Sequence, residues 1–211
     1  AEQDLLRANQ LDKSEWRYIK ALGELYLDKG DAAKALSFAE PFYKSHTDNY
    51  IMGMLYAKSL AANKKYAAAE KLLSTLNIIP FEGATDGREI YREVTLMQAI
   101  QNIKAKKYKA VPAFIAKAKS FPENLGSGKP YDEDIDSRLE NYLAAVYYEK
   151  TGKKAEAEKL SQEIAAYPEG KRGNPMNAVV QAWAMQKIGN ADAANTFIEK
   201  AVAREKNKKI A

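Results

Sequence analysis

The sequence predicts an all-α protein made of antiparallel helix pairs that repeat along the chain. Apolar residues recur at i, i+3, i+4 and i+7, which is the period of a helix and not of a strand. Small and large residues also recur at an offset of 34 residues, in a first repeat that begins at Trp16 and a second that begins at Tyr50. Glycines near position 15 end the first helix of a repeat, because glycine adopts left-handed backbone at little cost. We therefore expect about eleven helices and no sheet.

Repeats one and two, residues 16–49 and 50–83, define the pattern. Positions 8 and 20 are small, and we expect them where the two helices of one repeat cross, since only glycine or alanine lets the backbones approach closely. Large residues at positions 4, 7, 11 and 24 fill the space on either side. The small residues of these two repeats are Gly23, Ala35, Ala57 and Ala69.

Three further repeats follow with longer gaps, at residues 92–125, 138–171 and 175–208. Repeat three is the least regular, because Val111 takes position 20 and Pro112 follows directly. Residues 1–11 have the pattern of the second helix of a preceding repeat, so we expect a fragment of a longer protein whose array ends with repeat five. The small residues of repeats four and five are Ala145, Ala157, Ala182 and Ala194.

This spacing of small and large residues resembles the tetratricopeptide repeat (TPR) family over nearly the whole chain. The resemblance implies a right-handed superhelical solenoid of about five repeats plus a leading helix. It also implies a concave groove, lined by positions 2, 5, 9 and 12 on the first helix of each repeat. From this resemblance we expect a non-catalytic scaffold whose partner is a protein or peptide, or an upstream domain of the same parent chain.

Carried over position by position, the implied groove changes from charged in repeat one to apolar and aromatic in repeats four and five. Exposed apolar and aromatic side chains are typical interface anchors. We expect Lys20 and Lys58 to steer an acidic stretch of the partner. The alternative is a tight superhelix in which the groove residues contact one another as core. The predicted contact residues are Lys20, Met54, Lys58, Leu96, Ile100, Tyr142, Val146 and Trp183.

Two loops interrupt the repeats, at residues 121–136 and 167–174. The first is rich in glycine, proline and acidic residues, which we interpret as a flexible connection. The stretch from Pro122 to Ala157 resembles, more loosely than the TPR match, the C-terminal repeat tail of large bacterial proteins that also carry a galactose-mutarotase-like β-sandwich. That resemblance implies a carbohydrate-related domain upstream. It adds a second function class, an accessory helical domain that shapes or dimerises a carbohydrate-active enzyme.

Composition excludes several classes of site. The chain has no cysteine and one histidine, so disulfides, thiolate nucleophiles and cysteine-rich metal sites are ruled out. The net charge is +5, but acidic and basic residues alternate, and the lysines between residues 104 and 109 straddle a helix end; we predict no nucleic-acid site. No apolar stretch approaches the roughly 20 residues that span a bilayer. We expect a soluble protein of the cytoplasm or the periplasm, since a lack of cysteine fits both.

Three motifs that suggest chemistry have structural explanations. Residues 126–129 lack the first glycine, the final Ser or Thr and the leading strand of a phosphate-binding loop. Asp132, Asp134 and Asp136 alternate as in a calcium loop, but the required glycine and glutamate are missing, and acidic residues favour a helix N-terminus. His46 falls at a helix end, where we expect no Ser or Cys partner. We therefore predict no catalytic residue, no cofactor and no metal.

Overall fold

The computed structural model describes residues 2–80, 86–168 and 177–208, and within those ranges it contains eleven α-helices and no strand. Short 3₁₀ turns lie at Tyr108–Ala110, Glu123–Leu125 and Asp132–Asp134. The predicted all-α fold class is confirmed. The helices are α1 (Glu2–Leu11), α2 (Trp16–Asp28), α3 (Ala32–Ser45), α4 (Tyr50–Ala62), α5 (Tyr66–Leu73), α6 (Asp86–Lys104), α7 (Val111–Lys119), α8 (Arg138–Lys150), α9 (Lys154–Ala165), α10 (Asn177–Lys187) and α11 (Ala191–Lys208).

None of the helices in the described ranges has both the length and the apolar character needed to cross a membrane.

Five turns between paired helices share one backbone geometry, and this geometry marks the repeats in three dimensions. The residue at position 15 is left-handed in each, with φ between 58° and 90°. The next amide donates to the carbonyl five residues earlier, as from Asp31 to Tyr26 at 2.8 Å. The equivalent bonds of the other four turns measure 2.8–2.9 Å, and they satisfy carbonyls that the end of the first helix leaves unpaired. The left-handed residues are Gly30, Lys64, Lys106, Gly152 and Gly189.

The described residues form two compact bodies, of which the first lies within residues 1–98 and 120–128. In this body α1 packs against α2, α2 against α3, α3 against α4 and α4 against α5, and α2 also contacts α4. Because the connecting turns are only a few residues long, helices that pack side by side in this way run antiparallel. Met52 and Leu73 are fully buried in its main apolar core.

The small residues at positions 8 and 20 are buried, as predicted. Ala57 and Ala69 are 0% exposed, Ala145 is 4% and Ala157 is 3%. Gly23 shows why the position must be small, since a Cβ built there would lie 2.6 Å from Leu55 Cδ2 on α4. The first helices of repeats one and two therefore approach each other at Gly23, where even a methyl group would require the Leu55 side chain to move.

The second body lies within residues 99–119 and 129–211. In it α8 packs against α9, α9 against α10 and α10 against α11, α8 contacts α10, and α7 contacts α8. The helices α2, α4 and α8 begin at the first residues of predicted repeats. Repeat three departs from the pattern, because α6 begins at Asp86 and Val111, which is 0% exposed, fills its second crossing position. Residues 81–83 of repeat two and 175–176 of repeat five lie outside the described residues.

The prediction of a flexible loop at residues 121–136 is wrong for its first half. The Ile78 amide donates to the Asn124 carbonyl at 2.8 Å. The Asn124 side chain donates to the Leu73 carbonyl, at the end of α5, at 3.0 Å and to the Leu76 carbonyl, three residues beyond, at 2.7 Å. Leu125 is 1% exposed. Gly126 is left-handed with φ of 70°, and a Cβ there would lie 3.0 Å from Ile78. Gly126 is therefore needed here because the chain passes close to Ile78. Residues 169–174 of the second predicted loop lie outside the described residues.

Candidate functional site

Two neighbouring helices of the second body present an apolar surface to solvent, which we call the aromatic patch. It consists of Tyr142 and Val146 on α8, and of Val179 and Trp183 on α10. Within each helix the two residues are four apart and share a face, and α8 contacts α10. Trp183 is 47% exposed and Val179 is 41% exposed, whereas Tyr142 and Val146 are half-buried. The Tyr142 and Trp183 ring centroids lie 5.4 Å apart, so the structure brings these two predicted contact residues together.

A small apolar core supports the patch from beneath. Ile164 of α9 and Val180 and Ala184 of α10 are at most 6% exposed, and Tyr142 packs against this cluster. Burial raises the pKa of the Tyr142 hydroxyl. The inner side of the patch is thus fixed by packing, while about half of the Trp183 surface faces water.

Buried polar side chains link the starts of α8 and α10, and we call them the polar clasp. The Asp136 carboxylate accepts hydrogen bonds from Arg138 Nε at 2.9 Å and Nη2 at 2.7 Å, and from Asn177 Nδ2 at 2.9 Å. Arg138 Nη1 donates to Gln181 Oε1 at 2.7 Å, and the guanidinium carbon lies 3.9 Å from the centre of the Tyr167 ring. Arg138, Asn177 and Gln181 are at most 8% exposed. The clasp fixes α10 against α8, and so fixes the two sides of the aromatic patch.

The electrostatics of the clasp favour a charged Asp136. Burial raises the pKa of this carboxyl, but hydrogen bonds from Arg138 and Asn177 outweigh burial, and the pKa lies below its ordinary value. The prediction from the sequence does not include the clasp, because acidic residues at positions 132–136 are explained by a helix N-terminus. A usable signal was Arg138 at position 1, where repeats one and two have Trp16 and Tyr50.

The predicted contact residues of the first body are paired or partly buried. Lys20 Nζ lies 2.6 Å from Glu24 Oε1, and Lys58 Nζ lies 3.0 Å from Asp86 Oδ2. Each lysine thus has a carboxylate beside it, which reduces the net positive charge that it offers to an acidic partner. Met54 is half-buried and packs against the main core.

Leu96 and Ile100, the two predicted contact residues of repeat three, lie one turn apart on α6. Leu96 is 5% exposed and belongs to the core, so it has almost no surface left for a partner. The alternative expectation, in which groove residues pack as core, describes Leu96 better. Ile100 is half-buried.

His46 lies at the C-terminal end of α3, where the sequence predicts it, but it has a serine beside it that was not expected. The Ser45 hydroxyl is 3.0 Å from His46 Nδ1, and the ring stacks on Phe42 with centroids 4.2 Å apart. Ser45 Oγ also lies within 3.2 Å of two carbonyls of the last helical turn. These contacts all close the end of the helix, which is a capping role.

The aspartates of the first loop do not assemble with other ligands. Asp132 pairs with Lys129 at 2.7 Å, and Asp136 belongs to the clasp. In the part of the chain that the structure describes, no group of three or more His, Cys, Asp or Glu side chains is arranged to hold a metal ion.

A cleft of about 350 Å³ opens at the carboxyl ends of α8 and α10, at the opposite end from the clasp. Lys187 Nζ lies 2.6 Å from Glu149 Oε1, which ties these two helix ends together. Charged groups of both signs therefore border the aromatic patch on this side. The lining residues are Glu149, Lys154, Ala157, Glu158, Ser161, Lys187 and Ile188.

Comparison with known proteins gives two similar solved structures. The chain is 14% identical to "MamA RS-1 ArsTM double mutant", over 95% of this chain and 98% of that chain, with a TM-score of 0.46. It is 15% identical to "Crystal structure of MamA", over 90% of this chain and 98% of that one, with a TM-score of 0.44. No family model and no curated protein matches the chain. Membership of the TPR family and the looser resemblance to the bacterial repeat tail therefore stay predictions.

Proposed function

We propose that this protein is a non-catalytic binding module that holds a segment of polypeptide on the aromatic patch. The observation that carries the proposal is the exposure of Trp183, at 47%, beside Tyr142 on two packed helices. Tryptophan and tyrosine are the side chains that most often dominate the binding energy of protein interfaces. The partner is a separate protein or another domain of the same parent chain.

The packing beneath the aromatic patch holds its residues in place before a partner binds, and this favours binding. The core of Ile164, Val180 and Ala184 and the polar clasp both restrict the helices that carry the patch. A surface that is ordered before the partner arrives loses less conformational entropy on binding. Trp183 is therefore suited to act as an anchor without rearrangement of its own helix.

The residues beside the Tyr142 and Trp183 rings indicate which kind of partner side chain can bind to the aromatic patch. Val146 and Val179 extend the rings with aliphatic surface along both helices. An apolar side chain of a peptide can pack on such a surface. Because the surface extends over both α8 and α10, the bound segment can cross the two helices. The second function class, an accessory domain of a carbohydrate-active enzyme, finds no support in the comparisons.

The test is a peptide-display selection on the whole chain, followed by affinity measurements with the enriched peptides. We expect those peptides to carry an apolar or aromatic anchor. Trp183→Ala should weaken their binding by about 2 kcal/mol, or roughly thirtyfold, with helical content unchanged. Tyr131→Ala is the matched control, because Tyr131 is an exposed aromatic residue of the same body, at 78%, outside the patch. Equal losses in the two variants, or none at Trp183→Ala, would rule out the aromatic patch.

A further inference from the structure

The turn that joins α6 to α7 has an unusual concentration of positive charge. Residues 99–119 contain six lysines and no carboxylate. Four of them lie from the last residue of α6 to the 3₁₀ turn that precedes α7, and all four are exposed. The equivalent turn of repeat four, between α8 and α9, adds three more exposed lysines. Together we call these residues the lysine edge: Lys104, Lys106, Lys107, Lys109, Lys150, Lys153 and Lys154.

Two contacts place these turns at the same end of the second body. Lys119, at the end of α7, donates to the Asn141 side chain near the start of α8 at 2.7 Å. Since α7 contacts α8, the start of α7 lies toward the end of α8, where the second turn begins. The pair of Lys187 with Glu149 brings the end of α10 to the same place.

Two of these lysines favour helix stability by their position, and two do not. Lys104 and Lys150 lie in the last turns of α6 and α8, where a cation interacts favourably with the helix dipole. Lys107 and Lys153, by contrast, immediately precede the following helical segments, and neither makes a side-chain capping bond. A positive charge at a helix N-terminus is unfavourable, and Ser, Thr, Asp or Asn would be preferred there.

The four lysines at the α6–α7 turn have no carboxylate near them in sequence, whereas Glu149 and Glu158 line the same cleft as Lys154. Within the described residues, none of the seven lysines forms an ion pair. The contact of Lys153 with the Tyr148 ring, at 5.7 Å, is long and involves no carboxylate. Lys187, at the end of α10, is in contrast paired with Glu149. Seven exposed lysines outnumber these carboxylates at one end of the body, and an excess of positive charge favours an anionic partner.

We propose that the lysine edge binds an acidic stretch of the same polypeptide segment whose apolar residue lies on the aromatic patch. This inference rests on the proposed function, and it adds the charge of the segment and the place of its acidic residues on the surface. Lys150 is eight residues beyond Tyr142 on α8, about 12 Å along the helix. About four residues of extended chain cover that distance. The acidic residues therefore lie close to the apolar anchor in sequence, on the side toward the carboxyl ends of α8 and α10.

A polypeptide explains the edge better than a nucleic acid or a membrane. The edge contains lysines alone, without the arginines that read phosphates in a bidentate manner. Its aromatic neighbours Tyr108, Tyr147 and Tyr148 are half-buried, so the edge offers no exposed ring on which bases could stack. The edge and the aromatic patch lie along the same helix α8, so one segment can reach both.

The experiment compares two labelled peptides on the whole chain. One peptide has a tryptophan and a leucine followed by a run of glutamates, and the other has glutamines in place of the glutamates. The edge variant is Lys104→Gln, Lys106→Gln, Lys107→Gln and Lys109→Gln together. The control variant changes four exposed lysines of the first body: Lys13→Gln, Lys64→Gln, Lys65→Gln and Lys71→Gln.

We expect the acidic peptide to bind the unmodified chain about tenfold more tightly than the glutamine peptide at low salt. That advantage should fall as salt increases, be clearly reduced in the edge variant, which keeps Lys150, Lys153 and Lys154, and persist in the control variant. Circular dichroism of both variants checks that the helices are retained, and the comparison of the two peptides on the unmodified chain does not depend on any variant.

Every other result of this experiment contradicts either the proposed function or the proposed role of the lysine edge. If neither peptide binds, the proposed function fails and the inference fails with it. If both bind equally, the aromatic patch stands and the acidic stretch is wrong. If the control variant loses as much affinity as the edge variant, the acidic peptide is attracted by the net charge of the whole protein, and the lysine edge is not a specific binding site. If an oligothymidylate or a phosphatidylserine vesicle binds more tightly than the acidic peptide, and only through the edge, the partner is not a polypeptide.

Discussion

Lys64 and Lys106 have the same left-handed backbone conformation, with φ of 59° and 58°, at the position where repeats one, four and five have glycine. A residue with a side chain costs about 1 kcal/mol or more in this conformation. Both lysines nevertheless make the hydrogen bond that closes the turn, Lys64 to the Ala61 carbonyl at 2.8 Å and Lys106 to the Ile103 carbonyl at 3.0 Å. The packing of the paired helices therefore imposes the turn against the local preference.

Replacing Lys64 by glycine should raise the free energy of unfolding by about 1 kcal/mol, because the strain is removed and no contact is lost. Urea unfolding followed by circular dichroism measures the change. Gly152→Ala is the reverse control, since a Cβ at Gly152 meets no atom within 4 Å and adds backbone strain alone. It should lower the stability by a similar amount. A Lys64→Gly chain no more stable than the original, beside a destabilised Gly152→Ala chain, would contradict this account.

The fold was predictable because its determinants are local. The helical period, the small residues at positions 8 and 20 and the glycines at position 15 all appear within one repeat. The docked segment around Leu125 and the polar clasp were not predictable for the opposite reason. Asn124 bonds a carbonyl 51 residues away, and Arg138 bonds Gln181 across 43 residues. A periodic pattern of residues does not reveal hydrogen bonds between side chains so far apart in sequence.

The candidate site was predictable in part. Position rules for the first helix of a repeat select Tyr142, Val146 and Trp183, and the Tyr142 and Trp183 rings lie side by side in the structure. The same rules also named Leu96, which is buried. A position rule states which way a residue faces on an ideal repeat, and repeat three is not ideal, since α6 starts ahead of the predicted repeat. Whether a residue on that face is buried depends on which other helices pack over it, and the sequence of the helix itself does not show this.

Replacing Ala145 by leucine should overpack the crossing of α8 and cost about 1–3 kcal/mol of stability. Ala145 is 4% exposed, so the added atoms have no free space to occupy. The measurement is the shift in the urea midpoint. Ala155→Leu serves as the control, because Ala155 on α9 is exposed and tolerates the same side chain. An unchanged midpoint for Ala145→Leu would show that position 8 of repeat four has been misassigned.

The docking of α1 should depend on pH through Glu2. A hydrogen bond from Lys29 and another from the Tyr26 hydroxyl, the latter at 2.8 Å, lower the pKa of Glu2 from 4.5 to about 2. Because the folded pKa is the lower one, the stabilisation is complete above about pH 4.5 and is lost as the pH falls toward 2. Amide hydrogen exchange in α1 should accelerate across this window. The Glu2→Gln chain should lack that dependence, and a profile identical to that of the original chain would exclude Glu2 as its cause.

The polar clasp should control both stability and the aromatic patch. Asp136→Asn removes the carboxylate that pairs with buried Arg138, and breaking a buried ion pair on one side costs roughly 3–5 kcal/mol. The lowered pKa of Asp136 means that the original chain has this stabilisation above the ordinary carboxyl range and loses it as the pH falls through the folded value. The two chains should therefore differ most near neutral pH and converge in acid. Asp132→Asn, at an exposed pair with Lys129, is the control and should change little.

The effect of Asp136→Asn on the patch can be followed through Trp183, since the only other tryptophan is Trp16. In a Trp16→Phe background, Trp183 becomes the single indole, and its emission reports on its contact with the Tyr142 ring. We expect Asp136→Asn to shift this emission toward that of water-exposed tryptophan, because α10 loses its bond to the start of α8. The affinity for a patch-binding peptide should fall in parallel. Lower stability with unchanged Trp183 emission and unchanged affinity would mean that the clasp stabilises the body without positioning the aromatic patch.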